Sequence, residues 1–446
     1  VRSTKVLACA VSAVVLAAAF ARASEKSLSP VERRIVRYVD AHNGEALEQI
    51  VRLVDVNSGT MNFEGVREVG RLLRRELDGL GFSTRWIDGA PFGRAGHLIG
   101  VRRGDGGGPR ILLIGHLDTV FEKDSPFQRF QKRSGGKASG PGATDMKGGD
   151  VILLQALKAL RAAGALDRLS VTVVYSGDEE KSGEPLSLSR RDLIEAGRSA
   201  DVAIGFEDGD GRPETAVIAR RGAAGWRLRV TGTPAHSSLI FRDEVGAGAI
   251  FEASRILDQM YRRLAGEKYL TFNPGVIVGG TEASLDSAQA RGTAFGKTNV
   301  VAAQASVDGD LRTLSPEQLA GAEERIRAIV ATHRPGTSAE IVFDDGYPSM
   351  APTDGNRELL SIFDRGSRDL GFGPVSAADP ANLGAADVSF VNAEVRMAID
   401  GLGLMGSGGH TTAETADLAT LPMQTKRVAL LLYRLSRGAG ADRLSR

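Results

Sequence analysis

Along residues 32–54 the apolar positions recur every three or four residues, the spacing of an amphipathic helix, and residues 66–80 repeat the pattern up to the breakers Gly79 and Gly81. The period then shortens. Residues 98–101, 111–114, 171–175 and 202–206 are short apolar runs of strand type. Helical stretches lie between several of them, 151–163 most clearly, and strands alternating with helices predict an α/β domain with a largely parallel sheet.

A second pattern starts near Ala219. Residues 226–230, 275–278, 299–311 and 339–343 read as strands, with helices over 246–263 and 316–332 between them. This predicts a compact α+β module of two helices and four strands, inserted at 218–347 into a first domain that occupies 24–217 and resumes over 348–446. The resumed part closes with a helix over 422–437, and the Gly/Asp-rich stretches 104–108 and 208–211 read as loops.

The first twenty-three residues follow neither pattern. Arg2 and Lys5 precede an almost wholly apolar run over 6–20, and Ala21-Arg22-Ala23 suits a cleavage site, so 1–23 reads as a signal peptide. The run is short for a membrane span, which needs about 20 residues. The expectation is therefore a periplasmic or secreted protein with no stable membrane anchor once the leader is removed. Cleavage would take Arg2, Lys5 and Arg22 and move the formal charge from +1 to −2. It would also remove Cys9, the only cysteine, leaving no disulfide to stabilise the chain. A near-neutral balance with no run of like charge argues against nucleic acid as a partner.

Chemistry-bearing residues gather where the predicted strands end. The run 111–114 leads into His116 and Asp118, the run 171–175 into Asp178-Glu179-Glu180, and the run 202–206 into Glu207 and Asp208. In an open α/β sheet the ligand crevice lies outside the carboxyl ends of the strands. The loop Gly140-Pro141-Gly142-Ala143-Thr144-Asp145 precedes a helix and can bring Asp145 to the same crevice. One histidine with several carboxylates suits zinc or a similar divalent ion. Each piece alone has a plainer reading: a surface His-x-Asp pair, a solvated pair of glutamates, an aspartate capping the helix after it. Their arrival at one edge is what favours a site.

The ordered set Gly115-His116-Leu117-Asp118-Thr119-Val120, Gly140 to Gly149 with its Asp145-Met146-Lys147-Gly148-Gly149, and Asp178-Glu179-Glu180 resembles the M20 metallopeptidases. That family includes the glutamate carboxypeptidases, aminoacylases and succinyl-diaminopimelate desuccinylases. The resemblance runs from about Ala46 to the last helix, and in spacing it is most similar to the carboxypeptidase branch. It implies a zinc-peptidase-type catalytic domain with an inserted lid and dimerisation domain. It implies two Zn2+ per subunit, with Co2+ or Mn2+ as alternatives, held by His116, Asp145, Glu180, Glu207 and His410, Asp145 bridging. Asp118 would accept a hydrogen bond from the His116 ring and fix its tautomer. Glu179, beside a ligand yet free of the metals, is the expected general base. His236, in Thr233-Pro234-Ala235-His236-Ser237-Ser238, would reach the active site of a partner subunit, implying a homodimer. Asn299 and Arg312 match substrate-binding positions, Arg312 being able to grip a carboxylate through two parallel hydrogen bonds. Asp387 matches a family acid to which no role is attached here.

Three departures touch specificity: Val301-Ala302-Ala303 follows Asn299 where the family often has a proline, His97 stands where asparagine is usual, and Lys181 to Pro185 forms a differently shaped loop. The function expected is metal-dependent hydrolysis of an amide next to a free carboxylate, in a small peptide or N-acyl amino acid. A carboxypeptidase releasing a C-terminal residue, glutamate among the candidates, is the leading form. An N-acyl-amino-acid deacylase or aminopeptidase is the alternative within the family, and a non-catalytic metal-containing binding protein the alternative outside it.

Overall fold

In the computed structural model, residues 28–286 and 291–438 are described. The leader reading of 1–23, with Cys9, lies outside them. The chain divides into two units: one takes the chain up to Ile218, Pro352–Asn382 and everything from Ala386 on, the other Ala219–Ala351 with Leu383–Ala385.

The first unit opens with helices α1 (Pro30–Ala41), α2 (Asn43–Val54) and α3 (Phe63–Gly79). Ser29 starts α1 with a reciprocal cap: its hydroxyl accepts from the Glu32 N–H while the Glu32 carboxylate accepts from the Ser29 N–H. The single helix expected over 32–54 is two, broken at His42, whose N–H bonds the Tyr38 carbonyl. Both pieces turn apolar faces to one core, Ile35 and Val39 from the first and Ile50, Leu53 and Val54 from the second. A shared core gives them a common periodicity, which conceals the break. Strands β1 (Ser83–Asp88), β2 (Gly96–Arg102) and β3 (Arg110–His116) follow, then α4 (Gly148–Ala162), β4 (Ser170–Ser176) and β5 (Val202–Gly205). Val151 to Leu157 of α4 is buried without interruption, as suits a helix enclosed by α1, α2 and the sheet rather than lying on a surface.

The second unit holds β6 (Ala223–Gly232), α5 (Gly248–Leu264), β7 (Thr271–Gly280), the hairpin β8 (Glu282–Asp286) and β9 (Arg291–Phe295), β10 (Gln304–Arg312), α6 (Pro316–Val330) and β11 (Thr337–Tyr347). Its sheet runs β7-β10-β6-β11, all antiparallel. Trp226, Leu228 and Val230 alternate inward on β6 and meet α5 and α6 on one face. The β8–β9 hairpin has no counterpart in the expected pattern, because its strands are short, at most half-buried, and mix polar residues with a few apolar ones. The strand expected over 299–311 begins only at Gln304. Residues before it bond instead to the end of β6 and the segment after it, Ala303 accepting at its carbonyl from Gly232 N–H and Val301 N–H donating to the Ala235 carbonyl.

The chain then returns to the first unit with α7 (Asp354–Asp369), β12 (Met397–Ile399) and α8 (Thr420–Ser436). The main sheet is ordered β1-β2-β4-β3-β5-β12. β4, β3, β5 and β12 run parallel, and β2 pairs antiparallel with both β1 and β4. The mainly parallel sheet is thus bordered by an antiparallel edge of which β1 was not legible as a strand. No helix among the described residues is long and apolar enough to cross a membrane.

Candidate metal centre

Three adjacent parallel strands bring a histidine and acids to one edge. β3 ends in His116, β4 ends in Ser176 just before Asp178-Glu179-Glu180, and β5 ends at Gly205 just before Glu207. Register sets them side by side, His116 opposite Ser176 and Ile114 opposite Gly205. Asp145 comes from the turn that leads into α4. Gly142 in that turn is left-handed (φ 72°), and a Cβ there would lie 2.6 Å from Thr119 Cγ2, so both conformation and space call for glycine. The buried Glu414 holds the turn, accepting from Gly142 N–H at 3.0 Å and from Thr144 N–H at 2.8 Å. The Asp145–Met146 peptide bond is cis. His410 arrives from a glycine-rich loop, with φ 62° and a side chain that is 61% exposed.

The side chains converge in two groups that share Asp145. In one, His116 Nε2 lies 3.1 Å from Asp145 Oδ1 and 3.5 Å from Glu207 Oε1. In the other, His410 Nε2 lies 2.9 Å from Asp145 Oδ2 and 3.2 Å from Glu180 Oε2. Within each group the donor atoms all fall within 4.8 Å of one another. One carboxylate therefore turns one oxygen to each histidine.

Their chemistry fits cations. His116 Nδ1 faces the Asp118 carbonyl oxygen at 3.0 Å, with Asp118 Oδ1 at 3.5 Å, so acceptors hold the ring proton on Nδ1. The nearer contact is thus the backbone oxygen rather than the carboxylate expected from the sequence. Nε2 is left to present a lone pair to two carboxylate oxygens, an arrangement that is repulsive unless positive charge lies among them. The proton affinities show the same pull. Burial opposes charge on His116, yet Glu207, Asp118 and Asp145 hold its affinity well above the ordinary imidazole range. Hydrogen bonds to Asp145 and Glu180 lift that of His410 to about 11. Burial raises Glu207 well above the carboxylate range and, with Asp145, raises Glu180 to about 7. Asp145 stays well below that range despite its burial, because both histidines stabilise its charge. A mixed set of imidazoles and carboxylates of this kind suits divalent ions of the zinc type.

A sequence model of peptidase family M20/M25/M40 matches residues 112–434, well over half of the chain. This chain belongs to that family. It is similar to carboxypeptidase G2 of Pseudomonas sp. (strain RS-16), 27% identical over 395 residues that cover 88% of this chain and 89% of the relative. It is also similar to aminoacylase-1 of Pongo abelii, 26% identical and covering 65% of this chain and 71% of that one. Among solved structures, the aminopeptidase PepT of Bacillus cereus superposes with a TM-score of 0.69 at 18% identity, over 88% of this chain and 98% of its own. The Bacillus subtilis YXEP protein, described as a dinuclear metal-binding peptidase of the M20 family, superposes at 0.60 with 16% identity, over 89% and 99%. These likenesses in structure show the fold. Family membership makes this M20 protein a metal-dependent hydrolase, and its two donor groups fit a dinuclear centre.

The remaining residues of this M20 chain fall in two places. Near the metal centre, the Asp118 carboxylate accepts the backbone N–H groups of Glu179 and Glu180, each at 3.1 Å, and the Thr60 hydroxyl at 2.7 Å. Glu179, lifted well above the carboxylate range by burial and by the charges of Asp387, Glu180 and Asp145 against the opposing pull of His116, is drawn into the same cluster. Thr60 and Glu414 were missed in the sequence. Glu414 stands four residues after His410 and could have been sought there, whereas nothing local marks Thr60.

His236, Asn299 and Arg312 belong to the second unit. Ser237 N–H bonds the Asn299 carbonyl at 2.9 Å, so His236 and Asn299 share one corner. His236 Nδ1 accepts from Ser238 N–H at 3.3 Å, which puts the ring proton of the neutral form on Nε2. Arg312 pairs with Asp310 at 2.9 Å at the other end of β10. With Gln304 at the near end, the strand's eight steps separate the two places by roughly 27 Å.

Proposed function

We propose that this chain is a zinc-dependent carboxypeptidase that acts as a homodimer, releasing a C-terminal amino acid, glutamate first among the candidates, from a small peptide or N-acyl conjugate. The observation that carries the reading is Asp145, whose two oxygens face two different histidines. His116 and Glu207 would hold one ion, Glu180 and His410 the other, and Asp145 both. Lewis acidity toward a carbonyl oxygen and a lowered proton affinity of water are what a divalent pair supplies at such a centre.

The rest falls to side chains. Glu179 takes a proton on its carboxylate and passes it to the leaving amine, and burial among like charges raises its affinity for that proton. Asp118 holds the Glu179 and Glu180 backbone in place. His236 offers Nε2–H to a developing oxyanion, with Asn299 beside it. Arg312 grips the substrate carboxylate by its planar fork. The distance between His236 and Arg312 along one sheet supports assigning them to different centres, His236 to that of a partner copy. Export to the periplasm or beyond, on the leader reading of 1–23, completes the proposal.

The test is hydrolysis by the zinc-loaded protein of dipeptides, N-acyl amino acids and the C-terminal esters of both. Chelator-sensitive release confined to free-carboxylate substrates, fastest on peptides, is the expected result. Faster release from N-acyl amino acids makes it a deacylase, and equal rates on the esters remove Arg312 from its role.

A further inference from the structure

Behind the Asp178-Glu179-Glu180 turn lies a buried ionic cluster that the hydrolytic chemistry leaves unused. Arg190, 1% exposed, stands between the short helices Leu186–Ser189 and Arg191–Arg198. Its Nη1 donates to Asp178 Oδ1 at 2.6 Å, and its Nη2 to the Asp178 carbonyl at 3.0 Å and to Ser182 Oγ at 3.1 Å. Its Nε lies 2.9 Å from Asp387 Oδ1, while Asp387 Oδ2 accepts from the hydroxyl of Ser176, the last residue of β4. The second oxygen of Asp178 is filled by Gly183 N–H and Ser189 Oγ, at 2.8 and 2.7 Å. The Phe390 ring covers the guanidinium, 5.4 Å from its carbon.

One guanidinium thus touches both ends of the turn 178–182 and joins it to the segment that carries Asp387. Taking a cation and two carboxylates out of water is expensive, and similar stability is available from apolar packing, so a buried cluster of this kind is weak evidence for stability alone. What this one does geometrically is specific. Glu179 and Glu180 lie in the middle of a loop, which by default is mobile. Asp118 holds their N–H groups from the side of His116, and Arg190 holds the flanking residues from behind. We propose that Arg190 is a positioning residue: through Asp178, Ser182 and Asp387 it sets the turn so that Glu180 reaches its ion and Glu179 stands beside it. The inference rests on the roles given to Glu179 and Glu180 above. It also carries an asymmetry, because His116 and Glu207 hang from the ends of β3 and β5 and not from this turn.

Arg190→Lys keeps the charge and loses the fork, and it tests the proposal in the full-length protein. Thermal melting reports folding, competition with a chelating indicator reports the two zinc affinities, and initial rates separate kcat from KM. The expected variant is folded, binds one zinc as the wild type does, and loses on the order of 10–100-fold in affinity for the other and in kcat. KM for the free-carboxylate substrate stays within about twofold, since ground-state binding is untouched. If Arg190→Lys does not fold, Asp387→Asn, which keeps the side-chain shape and removes the carboxylate on the far side of the link, is expected to show the same uneven loss of zinc affinity, which is the readout used there because the Asp387 charge also acts directly on Glu179. Either variant folded, with both zinc affinities and kcat at wild-type values, overturns the proposal and leaves Arg190 a structural residue. Wild-type protein that binds fewer than two zinc ions overturns instead the ligand reading beneath it, and the inference falls with that reading.

Discussion

The two halves of the metal centre are built differently. The half around His116 is buried: its imidazole is 1% exposed, ends a central strand, and is bonded from behind by Asp118. The half around His410 leans outward: that imidazole is 61% exposed and follows Gly408 and Gly409 on a loop, in a left-handed conformation uncommon for a side-chain-bearing residue. Asp145 belongs to both. The difference teaches that the sheet preorganises one half, while the other depends on turns being held by residues that do not touch the reacting groups, Asp118 and Glu414 among them. A site made this way is expected to fill and empty unevenly.

Asp145→Ala breaks both halves together, and turnover is expected to fall by about four orders of magnitude or more, with neither zinc retained on dialysis. One zinc retained at full affinity in that variant would remove Asp145 from its bridging role. Glu179→Gln spares both halves and strikes the chemistry between them: kcat falls about 10^2- to 10^4-fold while metal content stays that of the wild type. Loss of metal in that variant reassigns Glu179 as a ligand.

Acid sharpens the comparison. His410 keeps its proton to about pH 11 and Glu180 to about pH 7, so an ion entering the outer half displaces one proton between those values and two below the lower one. Its affinity should fall about tenfold per pH unit above 7 and about a hundredfold per unit below it as the solution is acidified. A zinc titration whose slope does not steepen near pH 7 would take Glu180 out of the outer half. The smallest effect concerns stability. His116→Ala leaves a gap in the core and should cost about 2 kcal/mol or more, whereas His410→Ala, at an exposed position, leaves none and should destabilise chelator-treated protein only through the charge it removes from beside Asp145 and Glu180, an effect that fades as the pH rises toward 11. Equal melting shifts for the two variants would erase the distinction between the halves.

How much of this was legible varies with the range of the interactions. The strands β3, β4 and β5 were readable because each is a run of apolar residues buried on both faces, and the acids beyond them because chain order places them at strand ends. The break at His42 was hidden because two helices share one core, and β1 because its residues are half-exposed or exposed and its large apolar residues, Trp86 and Ile87, are adjacent instead of alternating. The β8–β9 hairpin was missed because its apolar residues, Leu285 and Phe295 among them, are few and belong to neither core. Glu414 had only its nearness to His410 to mark it, and Arg190 only Asp178 twelve residues before it, while their other partners Gly142 and Asp387 lie 272 and 197 residues away along the chain.

By itself the sequence determined which residues could do chemistry here and that the first domain is a mainly parallel α/β sheet, since periodicity and chain order are properties of neighbouring residues. Only the tertiary structure decided that Asp145 turns one oxygen to each histidine, that Asp118 spends its carboxylate on the backbone of Glu179 and Glu180, and that Arg190 stands behind them. Those choices are made by hydrogen bonds and ion pairs between segments far apart in the chain, buried where each polar group must find a partner, and that requirement has no trace in local spacing.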